Sequence, residues 1–233
     1  MNRRTSLAFA AAALLAAPSL AAAQGMSMAT PSPRPAPLNA TEQSFYERAS
    51  ATLRRLYPNP AAAEKAGYLR FSNEDSTGAI SYVNPNYFNT PEDAHPQQLW
   101  FDINGRLLGA DFSQTVAAHP RPTLFELQPN RFHHITAHVH FGLKQPDGSI
   151  RYGLYVPAST YITVGDPLYP TAEGLVKLGK ATSAAQVAFV VAIFENWDAQ
   201  MWVIPNPAGQ FADANPNVKP SAHQGGGSGE EKM

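Results

Sequence analysis

Hydrophobic positions along this chain change period near Tyr68. Before it, Phe45, Ala49, Leu53 and Leu56 recur at helical spacing, which predicts a helix from Asn39 or Thr41 to about Leu56. Glu42 in its first turn suits the helix dipole, while Thr41 and Ser44 do not complete a capping box. Tyr57-Pro58 stops the helix. Asn59 then caps a second, short one, with Pro60 at its first position and Gly67 at its end. Beyond Tyr68 the period falls toward two. LRF, AISYV, QLWFDI, RLLGADF, FHHITAHVHFGLK and IRYGLYV are short segments rich in aromatic and β-branched residues, and they predict strands. Asn104-Gly105 and Asp147-Gly148 each separate two of them and predict hairpins. A short helix is expected around Thr171 to Leu178, a buried strand at VAFVVAIF (187–194) and a further strand at MWVIP (201–205). The pattern predicts an α+β class, an N-terminal helix pair packed on a mostly antiparallel β-sheet.

The stretch FHHITAHVH, 132–140, holds four of the seven histidines. Its residue types favour a strand over 132–143, and strand side chains alternate. His133, Ile135, Ala137, Val139, Phe141 and Leu143 share one, mostly apolar face. His134, Thr136, His138 and His140 share the other, which reads as the wet face. A two-residue Asp147-Gly148 turn would place Leu143 opposite Tyr152, Phe141 opposite Leu154, Val139 opposite Val156, His140 opposite Tyr155, Lys144 opposite Arg151 and Gly142 opposite Gly153. The paired glycines would leave an unfilled patch. His133, on the apolar side, reads as a satisfied buried histidine.

His138 and His140 lie about 6.6 Å apart along such a strand, close enough to hold one ion together, whereas His134 and His138 are about 13 Å apart. Imidazole suits zinc, copper, iron or nickel, and zinc and copper are the candidate ions. A metal site needs further ligands. His134, His95, Glu195 and Asp198 are the candidates, with Asp102 and Asp111 behind them and Tyr155 on the ligand face. Glu195 and Asp198 read as a turn between two strands. The same face also fits a small organic ligand or plain solvation. Met26 and Met28 are soft copper(I) donors in type, within a stretch that otherwise reads as linker.

Composition narrows these readings. Arg3-Arg4, the apolar run Leu7–Leu15 and Ala21–Ala23 read as an export leader over 1–23, of the general secretory kind, with cleavage before Gln24. The expected location is periplasmic or extracellular. The apolar run is shorter than the ~20 residues of a membrane helix, and no other stretch qualifies, so no membrane span is expected in the mature chain. Residues 24–40 read as a flexible Pro/Ser/Ala linker, 41–218 as a single α+β domain and 219–233 as a disordered tail. The chain has no cysteine, which removes disulfides, thiolate ligands and thiol nucleophiles. Losing Arg3 and Arg4 leaves 15 basic against 18 acidic residues, a net charge of −3, which argues against nucleic-acid binding. There is no phosphate loop, G-x-S-x-G elbow or H-E-x-x-H.

AEKAGYLRF (63–71), SYVNP (81–85), QQLWFDINGRLLGADF (97–112), PTLF (122–125) and MWVIPNPAGQFADANPNV (201–218) follow one another in an order that resembles a group of uncharacterised secreted bacterial proteins. That group closes on W-x-x-x-N-P-x-G-x-F-A-x-x-N-P. The resemblance implies an exported globular domain and no established activity. Where such proteins carry histidines, this chain has Ser81 and Gln200, and their cysteines are absent. In the closing motif Asn206-Pro207, Gly209 and Asn215-Pro216 are turn formers, which predicts a strap laying Trp202 and Phe211 on the core. The leading functional expectation is a secreted or periplasmic binding protein for a transition metal or small molecule. A metal-dependent extracytoplasmic enzyme and an envelope interaction protein without metal are the alternatives.

Overall fold

A computed structural model describes residues 36–221. The expected leader (1–23), the linker up to residue 35, including Met26 and Met28, and the tail from residue 222 lie outside the described residues. The fold is mixed: short helices accompany two antiparallel sheets. Helix α1 spans Ala40–Leu56 and α2 Pro60–Lys65. Strands β1 (Leu69–Arg70), β2 (Ile80–Val83), β3 (Gln98–Phe101), β4 (Leu107–Thr115), β5 (His133–Ile135), β6 (His138–Lys144) and β7 (Ile150–Pro157) follow. Then come α3 (Ala158–Tyr161), α4 (Ala172–Lys177), β8 (Val187–Ile193) and β9 (Asn196–Trp202). The larger sheet has the order β1-β2-β3-β4-β9-β5, and the smaller β7-β6-β8.

The start of α1 differs from expectation. Asn39 is the N-cap, Glu42 is three residues on, and their side chains complete a capping box: Glu42 N–H donates to Asn39 Oδ1 (2.9 Å) and Asn39 N–H to Glu42 Oε2 (3.0 Å). Phe45 meets the rings of Phe112 and Phe125 edge-on, and with Leu53, Leu99, Ala110, Ala199 and Met201 it belongs to the main core. Burying a side chain of this size contributes on the order of 1.5–3 kcal/mol.

Between the sheets the FHHITAHVH segment breaks into β5 and β6, one in each sheet. Its partner breaks at the same level, into β8 and β9 with Phe194 and Glu195 between them. The register nevertheless runs through the gap. His133 opposes Asp198, Ile135 opposes Asn196, His138 opposes Ile193 and Gly142 opposes Phe189. The two sheets therefore share one long antiparallel ladder turned at a corner. A core of Phe71, Val83, Phe88, Val191 and Ile193 fills that corner.

The β6–β7 hairpin follows the expected register only away from its turn. Val139 opposes Val156, His140 opposes Tyr155 and Phe141 opposes Leu154, but Leu143 opposes Arg151 and Lys144 opposes Ile150. The turn is one residue longer than expected. Gln145 N–H donates to Ser149 O (2.8 Å), so Pro146, Asp147 and Gly148 form a three-residue loop. A bulge at Gly153, at φ +72, takes up the extra residue and restores the register. Its N–H donates to Phe71 O (3.1 Å), tying the bulge to the chain after β1. The C-terminal strap lies as expected: Trp202 Nε1–H donates to Ala212 O (2.7 Å), Asn215 Nδ2–H to Pro205 O (3.1 Å), and Trp202 and Phe211 are buried. Ser221, placed by composition in a disordered tail, donates its N–H to Glu74 Oε1 (2.7 Å).

Candidate functional site

His138 and His140 are not on a wet face. β6 is the central strand of the smaller sheet, and both of its faces are covered. Val139, Phe141 and Leu143 pack with Val156, Tyr161 and Leu175 on one side. On the other, the two histidines are more than nine-tenths buried. Alternation placed them together, and the tertiary structure then covered them. The His140 ring lies edge-on to Phe71 (4.7 Å between centroids) and to His138 (4.8 Å), with Tyr155 about 6 Å from both (5.9 and 6.1 Å). The expected patch at Gly142 is filled by Phe189: a Cβ there would come within 2.3 Å of its ring.

Burial sets the charge state of both imidazoles. It pushes the His140 pKa down to about 3, the nearby His138 pushes the same way, and the Leu154 backbone opposes them. Burial also lowers His138, opposed by its bond to Thr136. Both rings are neutral at pH 7. His138 Nδ1 lies 2.7 Å from Thr136 O, a carbonyl that can only accept, so Nδ1 carries the hydrogen and Nε2 the lone pair. His140 Nδ1 is buried without a partner. Neutral, oriented imidazole is the form that binds metal.

The other candidate ligands lie elsewhere. Among the described residues no group of three His, Asp or Glu side chains is placed to hold an ion. His134 Nε2 pairs with Glu195 Oε1 (2.9 Å) at a half-exposed site against Trp197. His133 is not buried; its side chain is 41% exposed and lies 3.4 Å from Asp213. His95 lies against Tyr87. Asp102 accepts from Asn104 and Arg106 within the β3–β4 turn.

Asp198 is not in a turn either; it sits within β9 and is buried together with Asp111. Along β4 and β9, Asp111 opposes Gln200 and Ser113 opposes Asp198, so the two aspartates are diagonal neighbours on one face. Trp100 Nε1–H donates to Asp111 Oδ2 (3.0 Å), and Ser113 Oγ contacts both Asp198 Oδ1 and Gln97 Oε1. Burial and the neighbouring Asp198 push the Asp111 carboxyl well up, and burial pushes Asp198 up to about 7. Ser81 and Gln200 border this group: Gln98, opposite Asp111, donates to Ser81 Oγ (3.2 Å). Reading Asp198 as a turn residue hid the pair. The alternation of Asp111, Ser113, Asp198 and Gln200 within apolar strands was the available signal. A cavity of about 310 Å³ lies elsewhere, lined by Pro37, Arg131, Asn206 and Phe211. No protein-family model, curated protein or solved structure matches this chain.

Proposed function

We propose that this chain is an exported binding protein that takes a transition-metal ion through His138 and His140. Its frame would be an N-terminal helix pair packed on a mostly antiparallel sheet, a reading supported by the contact of Phe45 with Phe112. The observation that carries the metal reading is the orphaned Nδ1 of His140 beside a neutral His138 whose Nε2 lone pair is free. An unpaired polar atom in an apolar setting is costly, and an ion held between the two rings would satisfy it. Zinc prefers four ligands, and among the described residues no third ligand joins the pair. Copper(I), which accepts two nitrogen donors, suits the site better. The export leader read at 1–23 and the resemblance of 201–218 to secreted proteins support a periplasmic or extracellular setting.

The test is metal analysis and titration of the untagged protein with zinc and with copper(I) under reducing conditions, beside the variant His138→Ala/His140→Ala. Near-stoichiometric copper that the variant loses is expected. No binding, or binding that the variant keeps, overturns the reading and leaves an envelope interaction protein without metal as the stronger alternative.

A further inference from the structure

A second group of buried titratable side chains, remote in role from the histidines, has its own unmet chemistry. Asp111 and Asp198 are both more than nine-tenths buried in the seam between β4 and β9. Among the described residues neither forms an ion pair with a lysine or arginine. The groups facing them are Gln98 and Trp100 from β3, Gln200 from β9, Gln97, and His133 of β5, which opposes Asp198 and is engaged by Asp213. Two uncompensated carboxylates in such a place repel each other and lack solvation. Hydrogen bonding leads to the same point. Ser113 has one hydroxyl hydrogen, yet its Oγ faces two acceptors, Asp198 Oδ1 and Gln97 Oε1. If Asp198 carries the proton, it donates to Ser113 Oγ and the hydroxyl hydrogen passes on to Gln97. Among the described residues Asp111 Oδ1 is buried without a donor, so a second charge in the seam would lack solvation there.

We infer that Asp111 and Asp198 form a proton-binding site: the pair together holds one proton, which Asp198 donates to Ser113 Oγ, and that proton closes the β4–β9 seam. Two aspartates sharing a site bind one proton tightly because the second negative charge is what burial disfavours. Loss of the proton puts two charges into the seam and weakens it. The direction of the pKa of both groups agrees. The sign of the linkage follows. A carboxyl whose folded pKa is raised gives stability that is complete below its unfolded value near 4 and lost as pH rises through about 7. β9 also pairs β5, so the same seam anchors one half of the ladder that carries the histidines.

The experiment compares the thermal unfolding of the whole protein with Asp198→Asn between pH 5 and pH 8. Asparagine imitates the protonated acid at this site, because it is neutral and donates to Ser113 Oγ. The difference between the two proteins is read at each pH, so that titrations common to both cancel. The variant is expected to gain several degrees in Tm on the wild type as pH rises from 5 to 8, and amide exchange along β9 in the wild type should accelerate over the same range. A difference that stays flat with pH overturns the inference. Should the variant fail to fold, carboxyl-carbon titration of aspartate-labelled wild type decides. One aspartate titrating near neutral pH supports the site, and all aspartates ionised by pH 6 sinks it.

Discussion

Two sites among the described residues bury carboxylates and treat them in opposite ways. Glu42, at the start of α1, is 1% exposed, and Arg131 meets it with two nitrogens, Nε to Oε1 (2.8 Å) and Nη2 to Oε2 (3.0 Å). The N–H groups of Asn39 and Gln128 complete its shell. Burial pushes this carboxyl up, but the Arg131 bond and the two backbone donors outweigh it, and the pKa is lowered. Among the described residues Asp111 and Asp198 have no cation, and theirs are raised. At these two sites the presence or absence of a positive partner decides the sign of the pH dependence. Glu42 contributes stability above its unfolded pKa that is lost as pH falls through its lower folded value. The aspartate pair contributes stability in acid that is lost as pH rises toward 7.

Removing the cation should break this contrast with the largest effect. Arg131→Met strands the Glu42 charge and should cost about 3–5 kcal/mol in urea unfolding at pH 7. Glu42→Leu/Arg131→Met should recover much of it, since the cost lies in the unpaired charge. At the other site the opposite sign is expected. Asp198→Asn should raise stability at pH 8 by about 2 kcal/mol, the linkage of one proton, with little gain at pH 5. Like effects from the two substitutions would undo the comparison. The smallest effect belongs to the cap beside Glu42. Asn39→Ala should cost about 1 kcal/mol by circular-dichroism melts, and a loss much above ~2 kcal/mol would show that the cap also holds Glu42 in place for Arg131.

Helix positions, most strand segments and both hairpin turns are legible in local pattern. Asn59-Pro60 and Asn104-Gly105 act within a few residues, and their conformations are decided by their own backbone preferences. Asn39 was within reach as well, since Glu42 stands three residues on. The hairpin register carried two deviations that cancel, a longer turn and a bulge at Gly153; a residue count sees neither separately, so it was right at His140 and wrong at Leu143. Asp198 was misplaced because a polar residue between strands and one inside a strand look alike in sequence when its partner, Asp111, is 87 positions away.

Sequence alone determined the periodic elements, the lack of thiol chemistry, and the placing of His138 and His140 on one side of a strand, because each depends on residue types and alternation over short distances. The tertiary structure decided what those side chains meet. Phe71 lies against His140 from outside the smaller sheet, Tyr155 flanks both rings, burial holds the histidines neutral, and the ladder turned at Thr136-Ala137 separates His134 from them. The pairing of β4 with β9 brings two distant aspartates together without a cation. Charge state follows solvation and neighbours, and both are properties of chain segments remote in sequence, so no local pattern carries them.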